Sequence, residues 1–377
     1  MPVNRRITLA ARPVGQPQES DFALDEVDVG SPEVGEVLVG VLWASVDPYQ
    51  RGRMSEAPSY APSLQLGDVI TSQSVGRVVE TNDPRFSVGD LAVGQLGWQE
   101  YAIARAGTLR RVPPELDPAT LALHAVGMTG FTAYFGLFDV GEPRPGDTVV
   151  VSCAAGAVGQ IVGQLAKLAG CRAVGIAGGP EKARDLTELY GYDVSIDYKN
   201  DDVAETLRPE RVDVYFDNVG GEISQAVHRR LNIGARIVIC GQVSQYNAER
   251  PEPTVHPGLL IMFPRGWRAS SSSLTHTATR KPRAGSRAGW RAERSAGAST
   301  SRRDSRTRRR LSSGCSTGPT EARPWSKWPN ARSNFLATVR DASLTTGVSD
   351  PGRSRRVAKG RSLSRLGLVP PASHFRV

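Results

Sequence analysis

The chain has 377 residues, room for two domains with substantial cores, and a net charge of +9 that averages two unlike regions. Residues 264–377 hold 25 Lys and Arg against 5 Asp and Glu; the rest of the chain keeps the remaining 22 basic and 33 acidic residues, a net of −11. The four cysteines (Cys153, Cys171, Cys240 and Cys315) form no C-x-x-C pair or ligand cluster, which argues against a zinc site or a disulfide framework. Three of them lie in or beside apolar runs, where thiols are commonly buried. The N-terminus "MPVNRRITLAARPVG" lacks the apolar core of a signal peptide, and no run reaches membrane-spanning length, so a cytoplasmic protein without a membrane partner is expected.

Residues 1–118 read as all-β. "GEVLVGVLWASVD", "GDVITSQSVGRVVE" and "VGDLAVGQLGWQEYAIA" are short Val/Ile-rich runs punctuated by Gly, Pro and Asp, the pattern of a small barrel. Near Pro118 the texture changes. "DPATLALHAVGMTGFTAYFGLFDVG" has helical spacing, starts at Asp-Pro and ends at Gly141. His124 within it is expected to pack between helices rather than to catalyse.

From "DTVVVSC" onward, five strands alternate with short helices. This alternation predicts a doubly wound parallel sheet with right-handed crossovers over residues 119–263. The first strand runs into "AAGAVGQIVG" and a helix. Gly156 and Gly159 let the backbone approach a pyrophosphate at a helix N-terminus, although Ala154 replaces the first glycine of the usual pattern. A tight turn without ligand is the alternative. The second strand ends in "AGGPEK", without the acid that receives the ribose hydroxyls of NAD. Lys182 follows closely and could meet a 2′-phosphate, which favours NADP(H); taken alone it is a solvated helix lysine.

"VDPYQRGRM", "GWQEYA", "GMTGFTAYFGL", "AAGAVGQIVGQLAKLAGC", "IDYK", "VDVYFDNVGGE" and "ICGQVSQYN" together resemble the medium-chain dehydrogenase/reductase superfamily. Within it they are similar to the zinc-free branch of prostaglandin reductases, leukotriene 12-hydroxydehydrogenases and curcumin reductases, over about residues 5–262. The resemblance implies a GroES-like β-barrel that binds substrate, a Rossmann domain that binds NADPH, and a homodimer. It implies reduction of the C=C bond of α,β-unsaturated ketones and aldehydes. Carried over by position, Gly156, Ala157, Val158 and Gly159 would cradle the pyrophosphate. Lys182 and Tyr198 would hold the 2′-phosphate. Asn218 with Cys240, Gly241, Gln242, Ser244 and Tyr246 would line the nicotinamide end. Tyr49 and Arg53 would border the substrate. Tyr246 is the candidate donor toward the carbonyl oxygen, where charge develops as hydride reaches the β-carbon; a loop tyrosine packed on the cofactor is the alternative. Zinc-dependent relatives use a Cys/His/Asp set in the barrel. Residues 1–118 contain no Cys, so no metal is expected.

After "GLLIM" the resemblance stops. The family would continue with a stretch like "ARMEGF" and end near one like "GKTVVKV". Read one base out of register, Pro264–Ser270 can encode Ala-Arg-Met-Glu-Gly-Phe, and Glu321–Trp328 can encode Gly-Lys-Thr-Val-Val-Lys-Val in the same frame. A one-nucleotide frameshift near codon 263 is therefore expected, with residues 264–377 an aberrant Arg/Ser-rich segment, too poor in periodic apolar residues to pack a core. Loss of the sixth strand would expose a sheet edge and weaken the dimer contact. The rival reading is a non-enzymatic, incomplete Rossmann protein whose run "TSRRDSRTRRR" binds nucleic acid electrostatically. The absence of interleaved aromatics and of any known module argues against nucleic acid as a partner.

Overall fold

Short Val- and Leu-rich strands build the first half of the protein, with runs of consecutive buried residues such as Val37, Leu38 and Val39. The structure is a computed structural model that describes residues 3–57, 61–248 and the pair Arg268–Ala269. Strands β1 (Val3–Leu9) and β2 (Phe22–Asp28) form an antiparallel hairpin with Leu9 opposite Phe22. Next come β3 (Glu36–Ala44), the five-residue helix α1 (Tyr49–Arg53), β4 (Gln73–Thr81), β5 (Leu91–Gln95), β6 (Tyr101–Arg105) and β7 (Arg110–Arg111). The five strands form one antiparallel sheet in the order β6-β3-β4-β5-β7. Two register shifts between β3 and β4 bend it, as bulges do. Gly76 is required at that crossing, because a Cβ there would lie 2.5 Å from the carbonyl oxygen of Gly40. The hairpin docks on the sheet through Ile7, Leu9, Met54, Leu64, Ile70 and Trp98, which form one buried cluster.

The helical spacing of residues 117–141 resolves into three pieces rather than one rod: a 3₁₀ turn at Ala119–Ala122, helix α2 (Met128–Phe135) and a π-type turn at Gly136–Gly141. Gly127 and Gly130 explain the break. A Cβ on Gly127 would meet the Ala122 carbonyl at 2.2 Å, and one on Gly130 the Ala125 carbonyl at 1.8 Å, so the chain doubles back where only glycine fits.

The remainder alternates as expected: β8 (Thr148–Ser152), α3 (Gly159–Leu168), β9 (Arg172–Ala177), α4 (Pro180–Glu188), β10 (Val194–Asp197), α5 (Val203–Thr206), β11 (Val212–Asp217), α6 (Gly221–His228) and β12 (Leu231–Ile239). A two-residue strand, β13 (Arg268–Ala269), pairs parallel to Val238 and Ile239 at the sheet edge. Every residue of β8 is buried, as a central parallel strand covered on both faces must be. Val149 and Val151 face Leu137, Ile161 and Leu165 in one core, while Val150 faces Ile176, Tyr215 and Ile237 in the other. Each such aliphatic side chain contributes about 1.5–3 kcal/mol on burial. The strand order is β10-β9-β8-β11-β12-β13, which in chain order reads third, second, first, fourth, fifth, sixth. That is the Rossmann arrangement, and its switch point lies between β8 and β11, where such sheets bind ligands beyond the strand ends.

Of the segment 264–377 only Arg268–Ala269 is described; as β13 it takes the sixth place in the sheet, which the sequence reading expected to be lost, and the other expectations for the segment lie outside the described residues.

Candidate active site

The switch point is stitched by three adjacent polar residues. Ser152, at the end of β8, donates from Oγ to Asp217 Oδ1 at 3.0 Å and accepts the Asn218 backbone N–H at 2.9 Å. Asn218 Nδ2 donates to the Ser152 carbonyl at 2.7 Å. Asp217 is 2% exposed and also receives the Tyr215 hydroxyl, the Ser224 hydroxyl and the backbone N–H groups of Val219 and Gly220. A buried carboxylate so fully satisfied is a structural anchor. It holds Asn218 at the mouth of the crevice, where the nicotinamide end of a dinucleotide is expected.

Beyond Ser152 the chain turns through Cys153, whose φ of 49° is left-handed. Ala154 is fully buried beneath the turn, and Gly156, Ala157 and Val158 lead into α3 at Gly159. The two glycines fit a closely approached phosphate loop. A Cβ on Gly159 would sit 2.3 Å from the Cys153 carbonyl, and one on Gly156 would sit 2.7 Å from Cys153 Sγ. Tyr192 Oη donates to the Gly159 carbonyl at 2.7 Å and braces the first helical turn from below. The N–H groups of Gln160, Ile161 and Val162 already bond to the carbonyls of Gly156 and Val158, so an anion at this helix start would be met by the loop just ahead of them. Cys153 itself is exposed, unlike the buried Cys171, and so departs from the burial expected of thiols beside apolar runs. Its sulfur nevertheless tucks against Gly156. Desolvation raises the thiol, opposed by the nearby Lys182 ammonium and the Gly156 N–H. His124 packs against the same helix start, with its Nε2 3.1 Å from Gln160 Nε2.

The end of β9 carries Gly178 and Gly179 and no acid. Asp197, at the end of the neighbouring β10, accepts the Gly179 N–H at 2.6 Å and the Asn200 amide at 2.6 Å, so it is committed to the loop rather than to a ribose. Tyr198 lays its ring over Gly178, where a Cβ would come within 2.7 Å of it. Lys182 stands exposed in the first turn of α4. Lys182, Tyr198 and Cys153 thus surround one polar corner at the second strand.

The loop after β12 closes the crevice. Cys240 and Gly241 donate their N–H groups to the Asp217 carbonyl, Val243 to the Asn218 carbonyl, and Ser244 to the Val219 carbonyl, all within 2.8–3.2 Å. Ser244 Oγ adds a second bond to the Val219 carbonyl at 2.6 Å. A Cβ on Gly241 would lie 3.2 Å from both the Asn218 carbonyl and Tyr246 Oη. Cys240 is half-buried, and desolvation pushes its thiol up to about 12, so it lines the loop as a neutral group. Tyr246 folds back over the loop and accepts the Gln242 N–H on its hydroxyl at 3.3 Å.

Tyr246 also faces a cleft of about 520 Å³ between this loop and the first half of the chain. Its walls include Gln18, Phe22, Asp47, Arg51, Met54 and Trp98, with Val243 and Asn247 on the far side. From the "VDPYQRGRM" stretch, the lining is made by Asp47, Pro48, Gln50, Arg51 and Met54; Tyr49 and Arg53 belong to the same helix but are not among the lining residues. Burial raises the Asp47 carboxyl, partly offset by the Ser45 hydroxyl, and burial lowers the Arg51 guanidinium. The wall from Gln16 to Ser20 carried no sequence signal. The polar anchors Ser152 and Asp217 had only their place at strand ends to mark them.

Among the described residues no cluster of three or more His, Cys, Asp or Glu could hold a metal ion, and no helix is long and apolar enough to cross a membrane. Residues 5–112 match the family model for the N-terminal domain of oxidoreductase, and residues 157–268 match that for zinc-binding dehydrogenase. The NADPH-dependent curcumin reductase of Escherichia coli strain K12 is 47% identical over 253 residues, which are 66% of this chain and 73% of that one. Prostaglandin reductase 1 of Sus scrofa is 42% identical over 263 residues, 68% of this chain and 78% of its own. Among solved structures, CurA from Vibrio vulnificus in complex with NADPH superposes with a TM-score of 0.68 at 42% identity, covering 72% of this chain and 84% of CurA.

Proposed function

The chain belongs to the medium-chain dehydrogenase/reductase superfamily, in its zinc-free reductase branch, and from that premise we propose that it reduces the C=C bond of α,β-unsaturated ketones and aldehydes with NADPH. The observation that carries this reading is the double position of Tyr246, which belongs to the loop beside Asn218 and also lines the cleft.

The residues present fit the dinucleotide. Gly156–Gly159 and the start of α3 would receive the pyrophosphate, Lys182 and Tyr198 the 2′-phosphate, and Asn218 with Cys240, Gly241, Gln242 and Ser244 the nicotinamide end. NADPH, when bound, supplies the hydride that adds to the β-carbon. The protein's part is to orient the alkene and to meet the charge that develops on the carbonyl oxygen. Tyr246 is the group for that task. Its hydroxyl accepts the Gln242 N–H, and a hydroxyl that accepts a hydrogen bond is polarised as a donor. Phe22, Met54 and Trp98 provide the apolar walls that exclude water from the enone. Tyr49 and Arg53 are proposed to border the substrate from behind the lining residues, through the helix they share with Arg51. A homodimer is proposed from the family.

The test is turnover by the full-length chain, followed as loss of NADPH absorbance with a panel of enones and enals beside their saturated counterparts. Consumption that requires the conjugated double bond, with the saturated ketone as product, is expected. Oxidation of alcohols with NADP⁺ without enone reduction would overturn the reading.

A further inference from the structure

Arg51 does something that neither the nucleotide loop nor Tyr246 explains. It lies in the middle of α1, and its guanidinium is divided between two stretches of chain: the strap at residues 13–15, which leads into one wall of the cleft, and Asn247, which lines it. Nη2 donates to the carbonyls of Pro13 at 3.1 Å and Gly15 at 3.0 Å, while Nε donates to Asn247 Oδ1 at 3.2 Å. All three acceptors are neutral, and among the described residues no carboxylate lies within salt-bridge distance of it. A half-buried cation whose hydrogen bonds all go to neutral acceptors, with Asp21 acting on it only from longer range, gains chiefly geometry, since the planar fork fixes the directions of several bonds at once. A Cβ on Gly15, at φ 69°, would lie 4.0 Å from the Asn247 carbonyl oxygen, so the two stretches also approach each other.

The strap continues as Gln16–Ser20, which forms a wall of the cleft, and Asn247 follows directly on Tyr246. The loop before Asn247 is held separately by the carbonyls of Asp217, Asn218 and Val219. Losing Arg51 therefore loosens the distal wall and leaves the cofactor side in place. We propose that Arg51 is a positioning residue that sets specificity: it fixes the strap across the cleft for extended enones, whose far end reaches that wall, and is indifferent to short enals, which occupy only the Tyr246 end. The proposal rests on the enone-reductase reading for its substrates, but not for the clamp itself.

The experiment compares the full-length wild type with Arg51→Met, which keeps the stem and removes the donors, and with Arg51→Lys. For a diaryl enone the Met variant should raise KM by about tenfold, the scale of one or two lost hydrogen bonds from a charged donor. KM for crotonaldehyde and the NADPH Kd should stay within about twofold, and Lys should recover part of the loss. Equal effects on both substrates, or none on either, would overturn the specificity role. Amide hydrogen exchange over residues 13–20 is the second readout. Faster exchange in Arg51→Met is expected, and unchanged protection would overturn the clamp whether or not any enone is turned over. Asn247→Ala removes a single acceptor and should act in the same direction with smaller size. It keeps the question open to decision if Arg51→Met fails to fold. A wild type that reduces no enone counts against the function proposed above and leaves the exchange measurement to decide the clamp.

Discussion

Asn218 Nδ2 donates to the carbonyl oxygen of Ser152 at 2.7 Å, tying the ends of β8 and β11 together where the strand order reverses. The bond is one of a set, because Ser152 Oγ bridges the Asn218 N–H and Asp217 Oδ1 in return. Ser152→Ala leaves a buried N–H without its acceptor and removes one donor from a buried carboxylate. The expected loss is about 1–3 kcal/mol of stability, read from urea unfolding. A change below about 0.5 kcal/mol, the range of ordinary surface substitutions, would show that the stitch is dispensable.

Lys182→Ala removes the cation at the end of the second strand. If Lys182 pairs with the 2′-phosphate, NADPH should bind roughly tenfold more weakly while NADH is nearly unaffected, the scale of a hydrogen bond between charged groups. Titration of both cofactors by fluorescence decides it. Equal losses for the two would assign Lys182 to the solvated face of α4.

Tyr246→Phe keeps the ring that packs on the loop and removes the hydroxyl. A donor to the developing oxyanion should cost roughly tenfold or more in kcat, with a smaller change in KM. Unchanged turnover of a good enone would leave Tyr246 as a packing residue.

Stability should fall in mild acid, in part through His124. Burial lowers its imidazole below the ordinary 6.5, against an opposing hydrogen bond to the Ala157 backbone. The unfolded chain therefore takes up this proton first. Stability is fully present above about pH 6.5 and is lost as pH falls through the lower folded value. His228 is shifted in the same direction by burial. His124→Gln should flatten the dependence of unfolding free energy on pH just below about 6.5. An unchanged slope would place the effect elsewhere.

Much of the parallel sheet was legible. The five strands from "DTVVVSC" onward and the helices between them follow from short apolar runs alternating with amphipathic ones, and these are local properties. The tight turn proposed to hold the phosphate was legible too, because Gly156 and Gly159 sit between a strand and a helix. The helical stretch over 117–141 was not: periodicity describes a face, whereas Gly127 and Gly130 break the rod through contacts with the carbonyls of Ala122 and Ala125. Cys153 likewise looked like a core thiol from its apolar neighbours and is exposed by a left-handed turn.

The sequence by itself determined the architecture, the glycines of the turn after the first strand of the parallel sheet, the lack of an acid at the second strand end and the abrupt change of character after Phe263. Each of these is written in adjacent residues. Only the tertiary structure decided which residues of "VDPYQRGRM" line the cleft, that Asp197 is spent on the Gly179 N–H, and that Arg51 reaches Asn247 from 196 positions away. The physical reason is that a five-residue helix shows no dominant periodic face, so the direction of each side chain is set by what the rest of the chain brings against it.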